Sequence, residues 1–173
     1  VTSAPRLAAF TLLVLVLPLG GGLCEEDHCV TDDDAVVEVG TGFGAFEPLP
    51  ESLPITFGLQ GGFHLDGALR IKGVFFEPLG LLGDNTTRMP VVSFTSVDAE
   101  GVVVGGYEDL QIEFRYEDDD DTSVGIRSPE PVIFLVPDAS IYDGQPLTLN
   151  ATVTDFCGRS ASASAEVVAK LPP

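Results

Sequence analysis

The chain has no tryptophan, one methionine, two histidines and three cysteines, and it sets only eight Lys and Arg residues against 27 Asp and Glu. The shortage of positive charge gives the first exclusion. A net charge of −19 repels phosphate backbones and anionic headgroups, which disfavours nucleic-acid binding and electrostatic docking on membranes. The two histidines, His28 and His64, lie far apart, no Gly-x-Ser-x-Gly elbow is present, and no glycine-rich turn precedes a helix. Nucleophilic catalysis and phosphate cradling therefore lack their usual parts, and a non-enzymatic protein is expected. Helical periodicity is missing from residue 24 onward. A long hydrophobic run is nearly missing too. The apolar stretch from Leu7 to Leu23 is shorter than the roughly 20 residues that cross a bilayer, and no second one follows.

That one stretch has the form of an export signal. Arg6 precedes an apolar run from Leu7 to Leu19, which gives way to Gly20, Gly21, Gly22 and Leu23 and then to Cys24. A basic start, an apolar core and a small-residue exit predict a cleaved signal over residues 1–23. A flexible acidic segment is then expected over 24–34, followed by a domain over 35–173. All 27 acidic residues lie after the signal with seven of the eight basic ones, so the exported part carries −20.

The sequence just before Cys24 partly resembles the lipobox of bacterial lipoproteins, in which the cysteine after the cut is acylated. The resemblance implies lipidation at Cys24. Three cysteines cannot all pair, so acylating Cys24 would leave Cys29 and Cys157 to form one disulfide. The alternative is a Cys24 to Cys29 clip with Cys157 free.

From residue 35 onward the period is two. Phe63 to Val74 places Phe63, Leu65, Leu69 and Ile71 on one side and His64, Asp66, Arg70 and Lys72 on the other. The same alternation runs through Leu110 to Tyr116, Leu147 to Asp155 and Ala161 to Ala169, and shorter strands are predicted at 35–39, 55–59, 91–97, 102–104 and 132–136. Pro54, Pro90 and Pro131 are expected to precede strands, since proline cannot sit inside a central one. Seven to nine short strands joined by turns predict an all-β fold, an antiparallel immunoglobulin-like β-sandwich.

The segment from Leu147 to Val168 resembles the closing hairpin of immunoglobulin-like and PKD-type domains of bacterial surface proteins. A Thr-rich strand ends in Val153-Thr154-Asp155, turns through Gly158 and returns through Ser, Ala and Val. The early tryptophan pattern of PKD domains is absent. Further upstream, Val39-Gly40-Thr41-Gly42, Phe46-Glu47-Pro48-Leu49 and Gln60-Gly61-Gly62-Phe63-His64 are similar to a group of bacterial exported proteins and lipoproteins with no assigned activity. That resemblance implies export and an immunoglobulin-like domain, and it carries no catalytic residue.

Two constellations carry possible chemistry. His64 and Asp66 fall on one strand face and could form a corner of a metal site, though a polar surface pair is the commoner outcome. Asp118, Asp119, Asp120 and Asp121 offer oxygens for calcium, but contiguous acids point apart and lack the turn-making glycine of a calcium loop. The expected protein is a cell-envelope or secreted binding module, lipid-anchored, with the face around His64, Asp66, Arg70 and Lys72 or the loops at one end as its working surface. An envelope protein or polysaccharide is the expected partner, and no cofactor is required. The alternative is a calcium-dependent carbohydrate-binding or adhesion domain.

Overall fold

The computed structural model describes Cys29 and residues 33–58, 62–77, 88–118, 121–136 and 138–172. The expected signal over 1–23, Cys24 and most of the segment 24–34 lie outside the described residues.

The described chain is all-β. Its strands are β1 (Val36–Thr41), β2 (Glu47–Pro48), β3 (Ser52–Phe57), β4 (Phe63–Lys72), β5 (Val91–Val97), β6 (Val103–Gln111), β7 (Arg115–Asp118), β8 (Asp121–Ile133), β9 (Pro146–Thr154) and β10 (Ser160–Lys170), and a 3-10 turn at Ala139–Tyr142 stands between β8 and β9. They form a ten-stranded mixed sheet in the order β2-β1-β4-β3-β10-β9-β5-β6, with β8 on the other flank of β4 and β7 outside β8. The antiparallel expectation is corrected at one place: β3 runs parallel to β10 over Ser52 to Pro54, then antiparallel to β4 over Ile55 to Phe57.

The sheet turns back on itself, so β4 lies against β5. A Cβ at Gly67 on β4 would meet the Phe94 ring of β5 at 2.7 Å, so only glycine fits there. Period-two burial on β4, β5 and β9 drives this packing. Leu65, Leu69, Ile71, Val92, Phe94, Leu149 and Val153 join one buried cluster with Val132 of β8. Each such side chain contributes on the order of 1.5–3 kcal/mol on leaving water.

Two devices tie the β9–β10 turn to distant parts of the chain. Cys29 and Cys157 form a disulfide across 128 residues, the pairing expected if Cys24 is acylated. Closing a loop of that length is worth about 5 kcal/mol in the chain-entropy model. Beside it, the fully buried Asp155 carboxylate accepts from Arg159 Nε at 3.0 Å, Arg159 N at 2.9 Å and Phe75 N at 2.9 Å. The β9–β10 turn is thereby bonded to the segment that follows β4.

Three sequence expectations are corrected. Leu110 to Tyr116 is not one strand, because β6 ends at Gln111 and β7 starts at Arg115. Upstream of that break, Asp109 at φ 54° accompanies a bulge in which Val92 pairs with Leu110 but Phe94 with Tyr107. The extra residue shifts the core-facing parity from Tyr107, opposite Phe94, to Leu110, opposite Val92, and the ladder then stops at Gln111; Leu110 at its end is half-exposed while Phe114 is buried. Residues 132–136 are not a separate strand either, because β8 runs through Pro131 to Ile133. Past Ile126 no pairing with β7 occurs, and Pro131 needs only β4 as a neighbour. Pro54 likewise sits inside β3, where the strand passes from β10 to β4 and each residue has one partner.

Candidate functional site

Outward positions of β1, β4, β8 and β7 build the face on which all four expected binding residues stand. Alternation along β4 sends His64, Asp66, Ala68, Arg70 and Lys72 outward, because Leu65, Gly67, Leu69 and Ile71 face the core. Ala68 is nonetheless fully buried, and so is Ile126, which pairs with Arg70 from β8. Something must cover them.

The cover is the segment 42–46 between β1 and β2. Ser128 Oγ lies 2.7 Å from the Gly42 carbonyl and 3.1 Å from that of Ala45, so its single proton is shared between them. Arg115 donates to the Gly44 carbonyl, and Thr41 Oγ1 to the Asp66 carbonyl at 2.8 Å. The Arg70 guanidinium stands 4.8 Å over the Phe46 ring, a cation–π contact. Gly42 at φ 125° and Gly44 at φ 86° give the strap a backbone path that other residues rarely adopt. Between them Phe43 is 89% exposed.

The strap divides the candidate residues into two groups. At the start of β4, His64 Nε2 lies 3.2 Å from Asp66 Oδ1, and Thr56 Oγ1 donates to Asp66 Oδ2 at 3.5 Å. The expected pair is therefore in contact. At the end of β4, Arg70 bonds Glu38 through Nε and lies 3.7 Å from Glu117 through Nη1. The Glu38 bond is the main cause that raises the Arg70 pKa above the usual guanidinium value. Arg70 and Lys72 line an open groove of about 310 Å³ with Glu38, Glu117, Val36 and Val124. Its two valines come from positions opposite Lys72 on β1 and β8, and they give a polar groove an aliphatic floor.

Glu38, Glu117, Ser128 and the strap escape a reading of the sequence alone. The Gly-x-Gly-x-Gly spacing from Gly40 to Gly44 marks the strap as a turn but does not say where it lands. Its main fastener, Ser128, is 86 residues from Gly42.

In the acidic run, Asp118 ends β7 and Asp121 opens β8, and the two pair across the ladder. Asp119 and Asp120 lie outside the described residues. Among the described residues no group of three or more His, Cys, Asp or Glu is placed to hold a metal ion.

A second polar cluster is interior. Glu130, which faces Gly67, is nearly buried and bonds the Arg127 Nε. The Tyr107 hydroxyl faces its carboxylate without closing a well-formed hydrogen bond. Burial first, and the Glu130 charge second, push the Tyr107 pKa far above that of a free phenol.

No protein-family model, curated protein or solved structure matches this chain.

Proposed function

We propose that the chain is an exported, lipid-anchored binding or structural module of the cell envelope, non-enzymatic and built on an immunoglobulin-like β-sandwich. In this reading β4, β8 and β7 form one layer, β10, β9, β5 and β6 the other, and β3 is shared by both. The address and the acyl anchor rest on Arg6, the apolar run after it and Cys24. Membrane contact comes through that anchor alone.

The observation that carries the reading is the Arg70–Lys72 groove, an open polar site beside a fixed loop on a scaffold of strands. Its working surface takes an envelope protein or polysaccharide. Sites of this kind fix their ligand by a few placed polar groups over an apolar floor.

Co-sedimentation with purified peptidoglycan sacculi and binding to an array of envelope polysaccharides test the proposal. Replacing Arg70 and Lys72 together with Ala should abolish binding, and Lys72→Ala alone, which leaves the Arg70–Glu38 and Arg70–Phe46 contacts in place, should weaken it without moving the melting temperature. Binding that survives the double change, or no binding by the wild type, rejects this surface. Mass spectrometry of the exported protein should find a diacylglycerol on Cys24, and a free Cys24 thiol rejects the anchor.

A further inference from the structure

We propose that this chain pairs with a second copy of itself across the outer face of β1, β4, β8 and β7, with Phe43 of each copy entering the Arg70–Lys72 groove of the other. The inference rests on the reading that this face is the working surface, and it names the partner.

The face carries a knob and a hole together. Phe43 is 89% exposed, yet the carbonyls of Gly42, Gly44 and Ala45 on both sides of it are tied down by Ser128 and Arg115. A large apolar side chain displayed on a fixed backbone loses little freedom when it docks. The strap adjoins the groove, because Arg70 both lines the groove and covers Phe46. A groove of about 310 Å³ with valines on two sides accepts one or two side chains. When knob and hole share a face, a two-fold axis satisfies both contacts at once, and the assembly closes as a dimer.

Charge selects the second copy over other partners. Arg70, Lys72 and Arg115 stand on this face with Glu38, Asp66 and Glu117, three cations against three carboxylates. Residues 24–173 as a whole hold seven basic against 27 acidic residues. Two such molecules repel one another through most orientations, and a balanced face is where they can meet.

Light scattering and sedimentation equilibrium of the exported protein test the proposal. A monomer–dimer equilibrium is expected that tightens as salt is raised to physiological strength, because screening over about 8–10 Å removes the distant repulsion and spares the contact. A partner recruited by its basic charge would show the opposite dependence. Phe43→Ala should weaken the dimer tenfold or more, and Phe43→Glu should abolish it, each with an unchanged melting temperature. Ser162→Glu adds the same charge on the exposed opposite face and should leave the dimer intact.

A monomeric mass up to roughly 1 mM protein, near the weakest association such an experiment reads, overturns the proposal. So does equal loss in Ser162→Glu, which would make the effect one of net charge. Sacculus or polysaccharide binding by a strict monomer removes this inference and keeps the proposed function. A dimer that binds neither polymer rejects the polysaccharide as occupant and keeps this face as the working surface, filled by the second copy.

Discussion

The outer face of β1, β4, β8 and β7 holds ion pairs and a strap, whereas the outer face of β5, β9 and β10 holds a flat ladder of hydroxyl and amide side chains. On the second face Thr152 meets Ser162 at 2.9 Å, Thr154 donates to Ser160 at 2.9 Å and Ser164 to Asn150 at 2.6 Å. Those partners are at most 14 residues apart, as adjacent strands of one hairpin require. Ser93 and Thr95 of β5 continue the ladder opposite Thr152 and Asn150. On the first face Arg70 reaches Glu38 across 32 residues and Arg115 reaches Gly44 across 71. Local pairs make a face self-sufficient, and distant pairs make it depend on the rest of the fold.

Removing the carboxylate that joins the two regions should have the largest effect. Asp155→Ala leaves the Arg159 guanidinium half-buried without this carboxylate and removes the bond that ties Phe75 N to the β9–β10 turn. Breaking one side of a buried pair costs about 3–5 kcal/mol, and urea unfolding should register that loss. An unchanged midpoint would mean that the disulfide alone holds the turn.

The strap comes next. Ser128→Ala removes the hydroxyl shared by the Gly42 and Ala45 carbonyls and should cost about 1–2 kcal/mol. Limited proteolysis with chymotrypsin, which cuts after aromatic residues, should then cleave at Phe43 far sooner than in the wild type. Equal cleavage rates would show that Arg115 and the Arg70–Phe46 contact suffice.

Between the faces, Tyr107→Phe removes a buried hydroxyl that has no hydrogen-bond partner among the described residues and should be neutral or stabilising by about 1 kcal/mol. Its pH signature has a definite sign. Because folding raises the Tyr107 pKa, the native state keeps this proton longer than the unfolded chain does. Stability is therefore intact below about pH 10, the ordinary tyrosine value, and falls above it. The Phe variant should lose less stability than the wild type between neutral pH and pH 11, roughly a unit above that value. Parallel melting curves across that range would assign the alkaline loss to other groups.

The smallest effect belongs to the hydroxyl face. Ser162→Ala deletes one rung and leaves Thr152 free to bond water, so it should change stability by less than about 0.5 kcal/mol. A larger loss would show that the ladder acts as a connected network, and that the contrast between the faces is weaker than their bonding implies.

The same contrast explains how far the sequence can be read. The β9–β10 hairpin and the inward side of β4 are legible because their alternation is unbroken and their partners are near. The break between β6 and β7 is not, since Leu110, Ile112, Phe114 and Tyr116 alternate without interruption in sequence while the ladder with β5 stops at Gln111 and a new one with β8 begins at Arg115. The disulfide follows from counting three cysteines under an assumption about Cys24, while its geometry needs the fold. Of the four expected surface residues, His64 and Asp66 meet as their spacing implies. The partners of Arg70 lie on strands that only the folded sheet brings beside it.

The Cys29–Cys157 bond also fixes a route for mechanical load. Tension applied between the chain ahead of Cys29 and the chain beyond β10 passes through the two sulfurs into the start of the last strand, and residues 30–156 sit in a covalent loop that pulling cannot lengthen. Stretching the molecule then means peeling β10 away from β9 and sliding it past Ser52 to Pro54 of β3. The rest of the domain rides along as a closed parcel, whatever hangs from either end.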